Sequence, residues 1–270
     1  MKVLIIGAGN MGVTYGRSFI QASVVPRDSL FFIDRNTDKA EALGHYSLNP
    51  LHTEPSPFVS HMDLIILSVK PQDFASLAAS LAPYIRPTQL VLSVMAGIRL
   101  DSLSRTLGVT HIVRAMPNLP AQVGQGMTVF TTSQAVTRGE VLTIQNLLNT
   151  TGKTLYTADE SMLDAATAIS GSGPAFVYYY MQAMIQSAAR MGFSESEARL
   201  LVSQTFLGAL DLLQRDSLTT EAWIDRVASR GGTTEAALAA FERLGLMQSI
   251  DEGLEAARVR ATVLSMDAGK

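Results

Sequence analysis

One stretch near the N-terminus decides the fold: Val3-Leu4-Ile5-Ile6-Gly7-Ala8-Gly9-Asn10-Met11-Gly12. Its first four residues are apolar and mostly β-branched, which predicts a short buried strand. The G-x-G-x-x-G spacing that follows predicts a sharp turn, a close approach of the backbone to a pyrophosphate, and a helix packed near the strand. The helix should begin near Asn10, so that its N–H groups and positive dipole end face phosphates. We therefore expect Gly7, Ala8, Gly9, Asn10, Met11 and Gly12 to bind a dinucleotide; the alternative is a glycine-rich turn kept only for packing.

Composition limits the class of protein. The chain has 270 residues, 47% apolar and 17% charged, which is typical of a globular protein large enough for two domains. Its formal charge of −3 gives no electrostatic reason to expect nucleic acid or an anionic membrane as partner. Because the chain has no cysteine, disulfides, thiolate catalysis and cysteine-based metal sites are excluded, and we expect no metal. No apolar run suits a signal peptide or a membrane span, so we expect a soluble, cytoplasmic protein.

Up to residue 157, short apolar runs alternate with helical patterns. The runs predict strands over 30–33, 64–69, 90–94 and 111–115, with two more over 127–131 and 154–156. Helices are predicted over 73–81, 100–107 and 134–148. This alternation indicates an α/β domain with a mainly parallel sheet and right-handed crossovers. Ligands of such sheets bind at the carboxyl ends of the strands.

From residue 158 onward the pattern becomes helical. Apolar residues recur at helical spacing over 176–191, 196–213 and 234–244, which predicts a mostly helical second domain over 158–270. Several of these helices, 176–185 above all, are apolar on more than one face. A small helical domain of this kind usually buries such a surface against another subunit, so we expect a homodimer formed through this half.

The end of the second predicted strand bears on the choice of dinucleotide. Asp34 lies about 20 residues beyond the glycines, where a carboxylate would accept hydrogen bonds from both ribose hydroxyls and favour NAD. Arg35 could instead hold a 2′-phosphate, and Asn36 adds a small polar side chain. Alternatively, Asp34 or Asn36 caps a following helix. We expect NADP(H) ahead of NAD(H) as cofactor, although this stretch leaves the choice open.

Two further stretches of small residues precede helical patterns, AISGSGPAF at 168–176 and SRGGTTE at 229–235. Pro174 stands at the start of a predicted helix, the position that tolerates proline best. Exposed N–H groups at a helix start bind a small carboxylate well, and Thr234 adds a hydroxyl donor. The alternative for each stretch taken singly is a capped helix joined by a tight turn.

These stretches and three others occur in an order that resembles the pyrroline-5-carboxylate reductase family. The six motifs are GAGNMG at 7–12, VKPQ at 69–72, SVMAGI at 93–98, RAMPN at 114–118, SGSGPAF at 170–176 and SRGGTTEA at 229–236. The resemblance spans essentially the whole chain. It implies a Rossmann-like dinucleotide-binding domain over 1–157 and an all-α substrate-binding and dimerisation domain over 158–270. The implied reaction is NAD(P)H-dependent reduction of 1-pyrroline-5-carboxylate to L-proline, the last step of proline synthesis, by dimers that often associate further into a decamer.

The resemblance also implies roles for single residues. The nicotinamide side of the cofactor would be lined by Val69, Lys70 and Pro71, and the nicotinamide ribose would be covered by Met95, Ala96 and Gly97. The substrate loop would comprise Gly231, Gly232, Thr233 and Thr234. Its N–H groups would bind the substrate carboxylate, and the Thr234 hydroxyl would make the catalytic contact with the ring nitrogen. Glu160, shortly before SGSGPAF, is implied as a further substrate-binding residue.

Three positions depart from the family pattern. Arg230 stands where the family usually has proline, Pro55 where it commonly has an asparagine that touches the cofactor, and Asp34-Arg35 where Asn-Arg is frequent. Arg230 either adds positive charge near the substrate carboxylate or points to solvent. These departures bear on cofactor preference and affinity more than on the reaction.

Other functions remain as alternatives. One is a related imine reductase or a β-hydroxyacid dehydrogenase with another substrate. The hydroxyacid enzymes place a lysine on the helix after their Ser-Gly-Gly segment, and residues 176–185 contain none, which favours an imine. A protonated imine is already electrophilic, so positioning matters more than acid catalysis. Another alternative is a non-catalytic NAD(P) sensor, which would need the first glycine turn but not the SRGGTT loop.

Overall fold

The predicted strands form one sheet in the computed structural model, which describes residues 1–39, 43–44 and 51–267. Within these residues the strands are β1 (Val3–Ile6), β2 (Leu30–Ile33), β3 (Leu51–His52), β4 (Leu64–Leu67), β5 (Leu90–Ser93), β6 (Ile112–Met116), β7 (Gly126–Thr132) and β8 (Gly152–Tyr156). Their order across the sheet is β3-β2-β1-β4-β5-β6-β7-β8. Strands β1 to β6 are parallel, β7 is antiparallel to β6, and β8 is parallel to β7. The carboxyl ends of β1, β2, β4, β5 and β6 therefore lie at one edge of the sheet, which we call the carboxyl edge.

Helices cover both faces of this sheet. Those that the structure describes in full are α1 (Asn10–Gln21), α2 (Phe74–Leu81), α3 (Leu100–Leu107), α4 (Arg138–Asn149) and the short α5 (Met162–Ala166). Val3 and Ile5 are buried in one apolar cluster with residues of α1 and α4. Leu4 and Ile6 are buried in a second cluster with residues of α2 and α3. Because β1 is buried on both faces, it reads in the sequence as an unbroken apolar run, as expected for a parallel sheet between two helical layers.

The element boundaries differ from the predicted ones for local reasons. β4 ends at Leu67 rather than at residue 69, since the chain leaves the ladder ahead of a 3₁₀ turn at Pro71–Asp73. α4 begins at Arg138 rather than near 134, because Thr137 and Glu140 form a capping box at its start. The sequence pattern does not predict β3, whose two residues are too few to show a period.

The remaining helices follow the SGSG segment. They are α6 (Gly173–Arg190), α7 (Glu195–Arg215), α8 (Thr220–Val227), α9 (Thr233–Arg243) and α10 (Leu246–Asp267). Tyr180 of α6 and Phe206 of α7 meet edge to face, with ring centroids 6.0 Å apart. Together with the sheet, these helices confirm the predicted class: a mainly parallel α/β N-terminal part and a helical C-terminal part. α8 and α10 are helices that the sequence pattern does not separately predict.

The chain divides into two compact units. The first comprises Met1–Ser172 together with the residues from Ala257 onward, and the second comprises Gly173–Ala256. The predicted domain boundary at 157/158 thus falls earlier than the boundary between the units. The reason is that α5 and the turn after it make hydrogen bonds to β6 and to the residues just after it, so they belong to the same compact unit as the sheet.

The second unit exposes many large apolar side chains. Tyr179 is 78% exposed, Leu207 60%, Val227 66% and Met247 79%. Large exposed apolar surfaces of soluble proteins mark interaction sites.

Candidate active site

The turn after β1 is built so that only glycine fits at two of its positions. Gly7 has φ +103°, and a Cβ there would lie 2.7 Å from the carbonyl oxygen of Ser68. A Cβ on Gly12 would collide with the carbonyl oxygen of Gly7. Gly9 differs, because a Cβ there would meet nothing within 4 Å. The turn is therefore tightly packed on the protein side and open at Gly9, which is the shape that a backbone needs to admit a pyrophosphate.

The first turn of α1 adds an anion-binding feature to this glycine turn. Its N-cap is Gly9, which offers no side chain to bond the first N–H groups, and no acidic residue lies in the first turn. The first N–H groups of a helix have no partner within the helix, and the dipole makes that end positive. The N–H groups of Asn10, Met11 and Gly12 are thus placed to donate hydrogen bonds to phosphate oxygens.

The end of β4 lies directly beside this turn. The Ser68 N–H donates to the Ile6 carbonyl at 2.8 Å, and the Ser68 hydroxyl donates to the Gly7 carbonyl at 2.6 Å. β1 and β4 are the pair at which the strand order reverses, and dinucleotides bind in the crevice at that point. Val69 is partly buried against the second apolar cluster, Lys70 is exposed, and Pro71 begins the 3₁₀ turn. The structure therefore brings the VKPQ and GAGNMG motifs together at the carboxyl edge.

The segment after β5 is held by the last helix. Met95 is 2% exposed and Ala96 is half-buried. Gly97 has φ +79°, and a Cβ there would lie 3.1 Å from the Leu264 carbonyl oxygen of α10. Glycine is needed at this position both for the left-handed backbone and for the close approach of α10.

The end of β2 carries Asp34, whose carboxylate is already engaged. Its Oδ2 accepts from the Ala8 N–H at 2.8 Å and from the Lys39 ammonium at 2.6 Å, and its Oδ1 accepts from the Asn36 N–H at 2.9 Å. Burial alone would raise the pKa of Asp34, but these hydrogen bonds together with the Lys39 charge outweigh burial, so the pKa lies below its usual value. Asp34 thus ties the end of β2 to the glycine turn.

The two residues after Asp34 also have partners. The Arg35 Nη2 lies 2.8 Å from Asp73 Oδ1, with the arginine side chain 73% exposed. The Asn36 side-chain oxygen accepts from the Asp38 N–H at 2.9 Å, which makes a local turn. Sequence reasoning missed Lys39 and Asp73; a lysine five positions after Asp34 was a visible signal for the first, and nothing local points to the second.

The RAMPN and SGSG motifs meet in the first unit. The segment Thr167–Gly171 is a single π-helical turn, a feature often found at functional sites. The Asn118 amide donates to the carbonyl and hydroxyl oxygens of Ser170, both at 3.2 Å, and accepts from the Met127 N–H at 2.9 Å. A Cβ on Gly171 would lie 2.6 Å from the Met116 Cε. Gly171 therefore packs directly against the flexible end of the Met116 side chain, which would have to move to admit a Cβ.

Glu160 belongs to a buried ionic network. Its Oε1 accepts from Arg114 Nη1 at 2.9 Å and from the Leu100 N–H at 2.8 Å. Arg114 also lies 3.5 Å from Asp164, whose Oδ1 accepts from the Ser265 hydroxyl at 2.9 Å. The network joins β6, the start of α3, α5 and α10. Sequence reasoning missed Arg114, although an arginine inside an apolar strand is itself a signal that a buried acidic partner exists.

The SRGGTT loop lies in the second unit and has a different construction. Gly231 has φ +72°, and its N–H donates to the Glu235 carboxylate at 2.6 Å. The Gly232 N–H donates to the Ser229 carbonyl at 2.9 Å. Gly232 is the N-cap of α9 and provides no side-chain cap. Among the described residues, the N–H groups of Thr233 and Thr234 have no acceptor, so the donors available for a carboxylate lie at the helix start rather than at the glycines.

Two structural findings concern metals and membranes. Within the described ranges, no group of three or more His, Asp or Glu side chains is arranged to hold a metal ion. Over the same residues, no helix combines the length and the apolar character needed to cross a bilayer.

The doubly wound sheet with an open glycine turn at its switch point defines an α/β dinucleotide-binding protein. Two family models match the chain: "pyrroline-5-carboxylate reductase dimerisation" over residues 160–264, and "NADP oxidoreductase coenzyme F420-dependent" over residues 2–97. Pyrroline-5-carboxylate reductase 2 of Bacillus subtilis is 34% identical over 89% of this chain and 87% of its own length. The pyrroline-5-carboxylate reductase of Pseudomonas aeruginosa is 33% identical over 100% of this chain and 98% of its own.

A solved structure shows the same similarity. Plasmodium falciparum pyrroline carboxylate reductase with NADP bound superimposes with a TM-score of 0.88 and 25% identity, over 98% of each chain. The chain belongs to the pyrroline-5-carboxylate reductase family, which confirms the resemblance carried by the six motifs.

Proposed function

We propose that this chain catalyses the NAD(P)H-dependent reduction of 1-pyrroline-5-carboxylate to L-proline, the last step of proline biosynthesis. The observation that carries the proposal is the glycine turn of residues 7–12, closed by packing at Gly7 and Gly12 and open at Gly9, in a chain of this family. That turn fits a dinucleotide by its own geometry, because a side chain at Gly9 would fill the space a pyrophosphate needs.

The chain's own residues bind and orient the reactants. The N–H groups of Asn10, Met11 and Gly12 would bind the pyrophosphate, while residues 69–71 and 95–97 would contact the nicotinamide half. The nicotinamide, when bound, supplies the hydride. The N–H groups of Thr233 and Thr234, supported by the backbone of Gly231 and Gly232, would bind the substrate carboxylate.

Thr234 is the residue to which we assign the catalytic contact. Its hydroxyl would hydrogen-bond the ring nitrogen and so fix which face of the imine receives the hydride. A ring nitrogen that is already protonated needs no strong acid, because the C=N electron pair moves onto nitrogen as the new C–H bond forms. Orientation is therefore the main task of the protein.

Glu160 has a less direct part in this proposal. Its carboxylate accepts hydrogen bonds from Arg114 and from the N–H of Leu100, which lies three residues after the 95–97 segment. We therefore assign it the positioning of that segment. The substrate contact implied by the resemblance remains a prediction for Glu160.

We prefer NADPH to NADH as cofactor. Arg35 and Lys39 place two cationic side chains, each paired with an aspartate, at the end of β2, where the ribose 2′ position of a dinucleotide lies in this fold. The NADP bound to the Plasmodium falciparum relative supports the same choice.

The proposed assembly is a homodimer formed through the second unit, with a decamer as the expected higher assembly. The dimerisation model that matches residues 160–264 and the exposed apolar side chains of α6 to α10 support it. Light scattering on the purified chain would measure the number of subunits. We keep the cytoplasm as its compartment, which fractionation of the source cells would check.

The direct test is the oxidation of NADPH by the purified chain with 1-pyrroline-5-carboxylate, run beside a β-hydroxyacid and an acyclic imine. The proposal expects turnover with the cyclic imine at least about tenfold above the others, a difference of 1.4 kcal/mol in transition-state binding. Preference for another substrate would favour the related reductases. Tight NADPH binding without turnover on any of them would favour the sensor.

A further inference from the structure

Four charged side chains lie at the end of β2 and beside it: Asp34, Arg35, Lys39 and Asp73. We call them the β2 charge cluster. They form two ion pairs, Lys39 with Asp34 at 2.6 Å and Arg35 with Asp73 at 2.8 Å. The first pair is largely shielded, with the Asp34 side chain 11% exposed and Lys39 35% exposed. The second pair faces solvent, with Arg35 73% and Asp73 37% exposed.

An aspartate at this place in a dinucleotide fold ordinarily selects against NADP. Its carboxylate accepts from the ribose hydroxyls of NAD and repels a 2′-phosphate. By that rule, Asp34 alone predicts an NAD-dependent protein. The rule assumes a carboxylate that is charged and free to accept hydrogen bonds from the ribose.

Asp34 does not meet that assumption. In the described part of the chain its two oxygens accept from the Ala8 N–H, the Asn36 N–H and the Lys39 ammonium, which occupy three of the roughly four lone-pair positions of a carboxylate. The ammonium also offsets its negative charge at hydrogen-bond distance. Asp34 therefore acts here as a structural tie to the glycine turn, and little of its accepting capacity or charge remains for a ribose.

The two cations of the cluster are differently placed. Lys39 has three N–H donors, and among the described residues it uses one of them, on Asp34. Arg35 is held by an exposed ion pair, which contributes little stability and breaks readily when a stronger anion is present. A 2′-phosphate would be such an anion, since guanidinium binds phosphate through paired hydrogen bonds.

We propose that Lys39 sets the dinucleotide preference, by neutralising Asp34 so that a 2′-phosphate is tolerated and Arg35 is left to bind it. This inference rests on the proposed function, in that it needs a dinucleotide on the glycine turn. Lys39 is then a residue that determines cofactor specificity. Asp34 is compatible with a bound 2′-phosphate only while Lys39 is paired with it.

The test uses nucleotide fragments, so that turnover plays no part in the readout. Calorimetry would measure the Kd of adenosine 2′,5′-bisphosphate and of AMP, which differ in the 2′-phosphate alone. The proteins are the full chain, Lys39→Met, Asp34→Asn and the double variant. Lys153→Met, an exposed lysine of β8, is the matched control.

The expected result is a double-mutant cycle with strong coupling. Lys39→Met should weaken the bisphosphate relative to AMP by about tenfold or more, because an unpaired carboxylate then faces the 2′-phosphate. In the Asp34→Asn background, Lys39→Met should change the ratio of the two Kd values by less than about threefold. Lys153→Met should leave the ratio of the two Kd values unchanged.

Other results would overturn the inference. If Lys39→Met changes the Kd of both ligands by the same factor, Lys39 does not contribute to recognition of the 2′-phosphate. If its effect on the ratio is as large in Asp34→Asn as in the natural chain, Lys39 binds the phosphate directly and neutralisation is wrong. If the natural chain binds neither fragment nor NADPH, the proposed function fails together with the inference. AMP binding by Lys39→Met would show that the variant is folded.

Discussion

The chain contains two glycine turns that open helices, and they are held in different ways. In the first, a Cβ on Gly7 or Gly12 would meet the backbone of Ser68 or of the turn itself. In the second, Gly231 has a left-handed backbone but a Cβ there would meet nothing within 4 Å. Gly7 and Gly12 are thus required by packing, with the left-handed backbone as a second reason at Gly7, whereas Gly231 is required by conformation alone. Gly232 is the tighter position of the second turn, because a Cβ there would lie 2.5 Å from the Ser229 hydroxyl oxygen and 2.9 Å from the Ser229 carbonyl oxygen. The first turn is thus a preformed cradle, whereas the shape of the second depends on local hydrogen bonds such as that from Gly231 to Glu235.

The largest effect is expected at the first turn. Gly12→Ala should lower the free energy of unfolding by about 3 kcal/mol, because the new methyl group overlaps a backbone carbonyl that cannot move without displacing β1. Urea denaturation followed by circular dichroism would measure it. Gly9→Ala is the matched control, with a cost of about 1 kcal/mol or less and weaker NADPH binding. Equal stability of Gly12→Ala and the natural chain would contradict the packing argument.

A substitution in the second turn should affect turnover rather than folding. Thr234→Ala should lower kcat/KM for 1-pyrroline-5-carboxylate by one to two orders of magnitude, since losing the hydrogen-bond partner of the ring nitrogen in the bound complex costs about 1–3 kcal/mol. Thr205→Ala, on an exposed face of α7, should change it less than about twofold. An unchanged kcat/KM in Thr234→Ala would remove the hydroxyl from the catalytic account.

A smaller effect separates conformation from packing. Gly231→Ala should cost about 1–2 kcal/mol of unfolding free energy, the strain of a left-handed backbone with no added clash. The same denaturation measurement compares it with Gly12→Ala. If Gly231→Ala proved the more destabilising of the two, conformation at the second turn would matter more for stability than packing at the first.

The smallest effect concerns pH and the tie between Asp34 and the glycine turn. Although burial opposes it, hydrogen bonding lowers the pKa of Asp34 in the folded chain below the unfolded value of about 3.9. Its stabilising contribution is therefore present above that pH and is lost as the pH falls through the folded pKa. The stability difference between the natural chain and Asp34→Asn should shrink below about pH 4. A difference that stays constant in denaturation curves across this range would refute the assignment.

Much of the first unit could be predicted because its signals are local. The apolar runs, the glycine spacing and the helix starts are each contained in about ten residues. The partners of these segments could not be predicted, since they come from distant parts of the chain. Asp73 holds Arg35, Glu160 holds Arg114, and Leu264 of α10 approaches Gly97. No periodicity in the sequence links such pairs.

The SRGGTT loop shows the same limit. Its glycines suggest donors for a carboxylate, but both glycine N–H groups are bonded within the loop. Which donors remain depends on the conformation at Gly231, and a residue pattern does not encode that in advance. The roles of Thr233 and Thr234 therefore remain predictions.

The central claim is that the chain moves a hydride from a nicotinamide to a cyclic imine. It is tested most directly with NADPH deuterated at the transferable position of the nicotinamide and 1-pyrroline-5-carboxylate, with mass spectrometry of the product. We predict proline carrying one deuterium on the ring carbon that is bonded to nitrogen and does not bear the carboxylate, in a one-to-one ratio with the NADP formed. Unlabelled proline, or NADPH bound but not consumed, would contradict the claim.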